Sequence, residues 1–149
     1  MRKQMNKSRP TFRIIIAGSR SFNDYETLKE TVNDLLGTFQ PVYNVIIVSG
    51  GAQGADSLGE RYAREYGLPC ESISPDWEQY GKAAGPIRNA QMARRSQALV
   101  AFWDGESPGT RNMICMARRR GLITRVVRYD KSITNKNFIQ NEQHAYKLH

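Results

Sequence analysis

The strongest constraint on the fold is a regular alternation of short apolar runs with segments of helical periodicity. The apolar runs lie at residues 12–17, 45–48, 98–103 and 124–127, with a weaker run at residues 69–73. Strands that are buried on both faces and joined through helices are typical of parallel sheets. The sequence therefore predicts an α/β fold, a three-layer sandwich with a parallel sheet of about five strands and four helices.

The predicted helices follow from capping signals and apolar spacing. The first is expected to begin after Asn23, with Glu26 completing a capping box, and to end at Gly37. The second buries Ala55 and Tyr62 on one face. The remaining predictions are helices over residues 86–95 and 109–120 and a loop over residues 74–85.

Length and composition favour one domain. The chain has 149 residues, of which 40% are hydrophobic, and we predict a single domain over residues 11–130 with flexible or peripheral tails at 1–10 and 131–149. No apolar run approaches the ~20 residues of a membrane span, and the first residues lack the apolar core of a secretory signal. We therefore expect a cytoplasmic protein with no membrane partner. The chain has only two cysteines, and its two histidines both lie in the last six residues. These numbers and positions predict no metal site.

The net charge of +8 is unevenly distributed. Residues 81–128 carry ten basic and two acidic side chains, whereas residues 10–80 carry five basic and ten acidic ones. Arginine outnumbers lysine by 15 to 7, which favours planar, bidentate recognition of phosphate or carboxylate. An anionic ligand is the first expectation, and nucleic acid is its largest form.

Three predicted strands run directly into short loops that contain glycine. These loops are residues 18–22, 49–54 and 104–110, and each precedes a predicted helix. The carboxyl ends of parallel strands meet at one edge of a sheet, where backbone amides and helix N-termini cradle phosphate. The loops therefore predict a phosphate site, although the glycines could instead serve only to make tight turns.

Cations are predicted beside the same edge. Arg20 lies in the first loop, and Arg88 and Arg111 are expected in the first turns of helices, where the helix dipole disfavours positive charge by ~0.3–1 kcal/mol. A bound anion would offset that cost. Alternatively, these side chains point to solvent or pair with nearby carboxylates.

Two further groups near this edge have open interpretations. Asp56 could accept hydrogen bonds from ribose hydroxyls, or it could hold Arg20 or Arg88 in place. The aromatic residues Trp77, Tyr80 and Trp103 could stack on a base, or they could belong to the core.

In order along residues 12–128, the loops resemble the YspA-like branch of the SLOG superfamily, which joins DprA to the LOG phosphoribohydrolases. The resemblance rests on the motifs GSRSF, SGGAQGAD, GPIRNAQM and SPGT, which begin at residues 18, 49, 85 and 107. It implies a Rossmann-like fold that binds a nucleotide or nucleotide derivative, with no certain cofactor. The implied binding residues are Gly18, Ser19, Arg20, Ser49, Gly50, Gly51, Gly54, Asp56, Arg88, Asn89, Pro108, Gly109 and Thr110.

One departure from the family pattern concerns catalysis. LOG enzymes carry a glutamate in a PGGxGTxxE motif, and Met113 occupies that position here. The hydrolase activity is therefore not carried over, and whether the chain is an enzyme stays open. Candidate catalytic residues are Asp56, Arg88 and Asp104.

The predicted function is binding or sensing of a nucleotide, with phosphate held by the glycine-rich loops and arginines. The alternative is hydrolysis of an N-glycosidic or phosphoester bond in such a ligand. A second alternative is DprA-like binding of nucleic acid through residues 81–128 and the basic N-terminal tail. Because the fold family commonly dimerises through helix faces, a homo-oligomer is a further expectation.

Overall fold

The structure is a computed structural model that describes residues 6–130 and the backbone of residues 138 and 139. The rest of the two predicted tails lies outside the described residues. The strands are β1 (Thr11–Gly18), β2 (Asn44–Ser49), β3 (Cys70–Ser72), β4 (Ala98–Trp103), β5 (Ile123–Tyr129) and β6 (Phe138–Ile139). The helices are α1 (Tyr25–Phe39), α2 (Ala55–Glu65), α3 (Trp77–Tyr80), α4 (Ala84–Arg95) and α5 (Pro108–Arg119), and a 3₁₀ turn, Gly81–Ala83, joins α3 to α4. None of these helices, over the described residues, combines the length and apolar character needed to cross a membrane.

The sheet confirms the predicted α/β architecture. Its order is β3-β2-β1-β4-β5-β6. The first five strands pair in parallel, and β6 adds an antiparallel edge next to β5. The chain proceeds outward from β1 to β3, then crosses back to start β4 on the other side of β1. This reversal between β1 and β4 opens a crevice at the carboxyl edge, where ligands bind in open α/β sheets.

Two apolar clusters lie on the two faces of the sheet. Alternate residues of β1 feed them, because successive side chains of a strand point to opposite faces. Ile14 and Ile16 pack with α1 and α2. Ile15 and Ala17 pack with α4 and α5. The result is the predicted three-layer sandwich.

Several predicted boundaries were wrong. The first helix is capped by Asp24, whose carboxylate accepts a hydrogen bond from the Thr27 amide at 3.1 Å, and not by Asn23. It continues through Gly37 to Phe39, because the Phe39 ring stacks on Phe12 with centroids 4.2 Å apart.

The predicted loop before the third helix contains helical structure. Asp76 caps α3, with its carboxylate accepting from the Gln79 amide at 3.1 Å. The α4 helix then begins at Ala84, two residues before Pro86, so Arg88 lies in its second turn and not in its first. The expected dipole penalty at Arg88 is accordingly smaller.

Candidate functional site

A cavity of about 720 Å³ lies at the carboxyl ends of β1 and β4, above the crevice between these strands. Its walls include the loops after β1 and β4, the starts of α2 and α3, and one side of α4 and α5 from their N-termini to Met92 and Met113. This is the edge at which the sequence predicted a phosphate site.

The cavity brings together most of the predicted residues. Those that line it are Gly18, Ser19, Arg20, Asp56, Arg88, Asn89, Asp104, Pro108, Gly109 and Thr110. Four predicted residues of the second loop are absent from its lining, namely Ser49, Gly50, Gly51 and Gly54. Gly51 is exposed, whereas Ser49, Gly50 and Gly54 contact residues next to or within the wall.

The loop of residues 49–54, after β2, positions Arg88 and packs against the loop after β1. The Gly50 carbonyl accepts a hydrogen bond from Arg88 Nη1 at 2.6 Å. Ser49 is fully buried, and its hydroxyl donates to Glu60 Oε2 at 2.8 Å and accepts from the Gly51 amide at 3.1 Å. Gly54 has φ +79°, and a Cβ there would lie 2.7 Å from the Arg20 carbonyl oxygen. Only glycine permits this approach.

Arg88 links α4 to the end of β2. Besides the Gly50 carbonyl, its guanidinium donates to Asn89 Oδ1 through Nε at 3.0 Å and to the Ile73 carbonyl at 3.5 Å. Burial lowers the pKa of Arg88, and the nearby charge of Asp56 partly opposes that effect. Within the described residues no hydrogen bond uses Nη2, which leaves that nitrogen available to a ligand.

Asp56 is a buried carboxylate in the first turn of α2. It is 5% exposed, and its Oδ2 accepts a hydrogen bond from the Ala52 amide at 3.2 Å. Burial raises its pKa to about 6, against the lowering effects of the Ala52 amide and the Arg88 charge. It lies beside Arg88 across the Cα of Gly50, where an added Cβ would collide with the guanidinium and lie 2.8 Å from Oδ2.

The N-terminus of α5 opens onto the cavity without a side-chain cap. Ser107 occupies the cap position, but its hydroxyl donates to Asp104 Oδ2 at 3.0 Å instead of accepting from the helix. Pro108 takes the first helical position, and the Gly109 and Thr110 backbone follows it along the wall. Uncapped amides and the helix dipole favour negative charge at such a position.

Asn89 and Asp104 are held by the protein itself. Asn89 Nδ2 donates to the Gly109 carbonyl at 3.3 Å and to Asn112 Oδ1 at 2.9 Å, which ties α4 to α5. Burial acts to raise the pKa of Asp104, but hydrogen bonds from the Ser107 and Glu106 amides outweigh it and the net pKa is lowered. Asp104 therefore stays ionised and orders its loop, so it is a poor general acid.

The mouth of the cavity carries exposed cations and an aromatic ring. Arg20 and Lys82 are both exposed and line it. No hydrogen bond or ion pair within the described residues engages Arg20. Trp77 also lines the mouth and is 56% exposed. Sequence reasoning missed Lys82, because an isolated lysine in a predicted loop gives no signal until the 3₁₀ turn places it.

The other suggested residues lie outside the lining. Trp103 is partly buried, and its indole donates to the Ser107 carbonyl at 3.1 Å. The guanidiniums of Arg111 and Arg128 lie over the ring, at 5.4 and 5.1 Å from its centroid. Tyr80 is 42% exposed but does not line the cavity. Of the three aromatic candidates, Trp77 is the one that lines the cavity.

Met113 lines the cavity and is 1% exposed. The residue that the motif resemblance places at the LOG glutamate position therefore lines the cavity with a thioether and not a carboxylate. Asp56 and Asp104 are the carboxylates of the lining.

Comparisons with known proteins agree with this architecture. Residues 12–80 match the family described as YspA, cpYpsA-related SLOG family. The chain is 36% identical over 118 residues to the Gene 61 protein of Mycobacterium phage D29. The matched region covers 74% of this chain and 91% of that relative. The X-ray structure of DNA processing protein A (DprA) from Streptococcus pneumoniae shares the fold, with a TM-score of 0.57 and 17% identity over 80% of this chain. This chain spans about half the length of that DprA structure. The chain belongs to the YspA, cpYpsA-related SLOG family.

Proposed function

We propose that the cavity binds a nucleotide or nucleotide derivative, and that the chain acts as a binding or sensing protein for it. The observation that carries the proposal is the meeting of four features in one space. They are the uncapped N-terminus of α5, the guanidiniums of Arg20 and Arg88, and the exposed ring of Trp77. Helix amides and arginine recognise phosphate, and an exposed indole supplies a face for a base.

The contacts suggest how such a ligand would lie. Phosphate oxygens would accept from the Gly109 and Thr110 amides and from Arg20, which has no competing partner among the described residues. The Gly50 and Ile73 carbonyls fix the guanidinium of Arg88, and its Nη2 would donate a further hydrogen bond to the phosphate. Asp56 would accept a hydrogen bond from a ribose hydroxyl. Asn89 orders α4 and α5 and need not touch the ligand.

The first test is a thermal shift with nucleotides and nucleotide-linked sugars, because ligand at ~100 times Kd adds ~2.7 kcal/mol to stability. We expect Arg20→Gln to weaken binding of the best ligand about tenfold or more, since a charge-assisted hydrogen bond contributes ~1.5–3 kcal/mol. Its melting temperature without ligand should not change, because the side chain is exposed. Titration calorimetry measures the affinity.

Arg111→Gln is the matched control for that experiment. Arg111 is an exposed arginine in the first turn of α5, but its guanidinium lies over the Trp103 ring and does not line the cavity. Its replacement should leave the nucleotide affinity unchanged. An absence of any shift across the panel, or equal losses in the two variants, would contradict the proposed phosphate site.

A second prediction concerns the base. Trp77→Ala should weaken nucleotide binding by roughly tenfold, because stacking of a base on an aromatic ring contributes ~1–3 kcal/mol. Binding of ribose 5-phosphate, which has no base, should be unaffected by the same change. Tyr80→Ala removes a neighbouring exposed ring that does not line the cavity, and it should change neither affinity. Parallel losses for both ligands in Trp77→Ala would show that the ring only supports the wall.

A further inference from the structure

The two helix layers differ sharply in charge. The α4 and α5 helices together hold six arginines, Arg88, Arg94, Arg95, Arg111, Arg118 and Arg119, and no acidic residue. On the other face, α1 and α2 hold six acidic residues against three basic ones. The excess positive charge of the domain is therefore concentrated on one side of the sheet.

Within the α4–α5 layer, arginines accumulate at the end away from the cavity. Arg94 and Arg95 end α4, Arg118 and Arg119 end α5, and Arg120 follows. All five are exposed. Ala98, at the start of β4, pairs with Ile123, at the start of β5, which sets the two helix ends side by side. We call these five residues the distal arginine surface.

The distal arginine surface lies far from the cavity. Each helix has 12 residues, so its last turn is roughly 15 Å from its first along the axis at ~1.5 Å per residue. The cavity lining reaches Met92 in α4 and Met113 in α5, whose side chains are buried against the sheet, whereas the ends of the two helices at Arg95 and Arg119 adjoin the starts of β4 and β5 at the amino edge. A partner at one end would not displace a ligand at the other.

Helix stability alone does not account for so many cations. A basic residue in a last turn gains ~0.3–1 kcal/mol from the dipole, yet α1 has none there and α2 has one, Arg64. Adjacent arginines also repel one another. Glu71 pairs with this surface, accepting from Arg95 at 3.1 Å and also from Arg13 at 3.0 Å. Within the described residues, no ion pair engages Arg94, Arg119 or Arg120.

We propose that the distal arginine surface binds the phosphate backbone of a nucleic-acid duplex. Guanidinium forks bind phosphate bidentately, and packed helices hold such groups ~8–10 Å apart. Single strands bind through aromatic stacking platforms. The large exposed apolar side chains of the described residues are Val42, Trp77 and Tyr80, and none belongs to α4 or α5. Regularly spaced backbone phosphates of a duplex suit this surface better than unstacked bases.

The test is fluorescence anisotropy of a labelled 20-base-pair DNA duplex between 50 and 200 mM salt. Four phosphate contacts give a log–log slope of about −3.6, so affinity should fall on the order of 100-fold over that range. The double variant Arg119→Gln/Arg120→Gln should reduce the slope by about 2, leaving a loss of about tenfold. Arg64→Gln, an exposed last-turn arginine of the acidic layer, is the matched control and should leave the slope unchanged.

Three results would overturn this proposal. The first is an unchanged slope in the double variant with its melting temperature intact. The second is loss of duplex binding in Arg20→Gln or on adding a nucleotide that fills the cavity, because the contact would then lie at the cavity. The third is equal or tighter binding to vesicles containing phosphatidylserine, which would make the surface a membrane contact. Failure here leaves the nucleotide proposal standing, because that proposal is measured separately by calorimetry.

Discussion

Gly18→Ala should destabilise the domain by about 3 kcal/mol or more, one of the largest effects expected from a single methyl group in this chain. Gly18 pairs with Phe102 in the β1–β4 ladder. A Cβ at this position would collide with the Phe102 carbonyl oxygen and lie 2.7 Å from the Ala55 Cβ. Both obstacles are held by regular secondary structure, so neither can move without separating β1 from β4 or lifting α2.

The measurement is urea unfolding followed by circular dichroism, with Gly37→Ala as the matched control. Gly37 lies inside α1, and a Cβ there would meet nothing within 4 Å. Alanine is favoured over glycine in a helix by ~0.5–1 kcal/mol, so the control should raise the midpoint slightly. A Gly18→Ala midpoint equal to that of the wild type would mean that the close approach of β1, β4 and α2 is not required.

Gly18 also shows what sequence reasoning could reach. Glycine at the end of an apolar run marked the end of a strand and a loop at the carboxyl edge, and the structure places it there. Its second role, as a gap that lets α2 approach the sheet, depends on contact with Ala55. That contact joins residues far apart in sequence, and no local pattern encodes it.

The same distinction applies to the candidate site. The SGGAQG loop was predicted to hold phosphate because glycine loops before helices commonly do. In the structure its carbonyl at Gly50 receives Arg88, so the loop positions a cation that faces the cavity. Lys82 and Trp77 reach the mouth only because Asp76 caps a short helix within a segment that lacks helical periodicity. The sequence could predict the sheet edge that carries the cavity and most of the residues that line it. It could not predict which residues line the cavity and which only position others.

The pH dependence of the domain should carry the signature of Asp56. Burial raises its pKa from the ordinary 3.8 to about 6. The folded state therefore binds a proton more tightly than the unfolded state does, and stability falls as pH rises through the interval from about 4 to above 6. Two pKa units correspond to about 3 kcal/mol, an upper bound for the cost of ionising this carboxyl in the folded protein at neutral pH.

Asp56→Asn should remove that cost. Without ligand, we expect the variant to melt at a higher temperature than the wild type at pH 8, by as much as roughly 10 °C, and at nearly the same temperature at pH 4. The asparagine oxygen can still accept from the Ala52 amide, so the loop should keep its shape. Thermal melts across this pH range measure the gap, which should widen as pH rises. A gap that is constant or of opposite sign would mean that Asp56 is not desolvated as the structure indicates.

Asp104→Asn provides a control of opposite sign, because hydrogen bonds lower the pKa of Asp104 and its carboxylate stabilises the fold above that pKa. Its replacement should lower the melting temperature at neutral pH.

Asp56→Asn also separates binding from the hydrolase alternative, since a carboxyl with a pKa near 6 that lines the cavity is a feasible general acid. If the chain only binds the nucleotide, chromatography should recover it intact after incubation with either the wild type or Asp56→Asn. Release of base or phosphate by the wild type but not by Asp56→Asn would instead establish hydrolysis, and the stability lost by ionising Asp56 would then be the cost of an acid held near neutral pH.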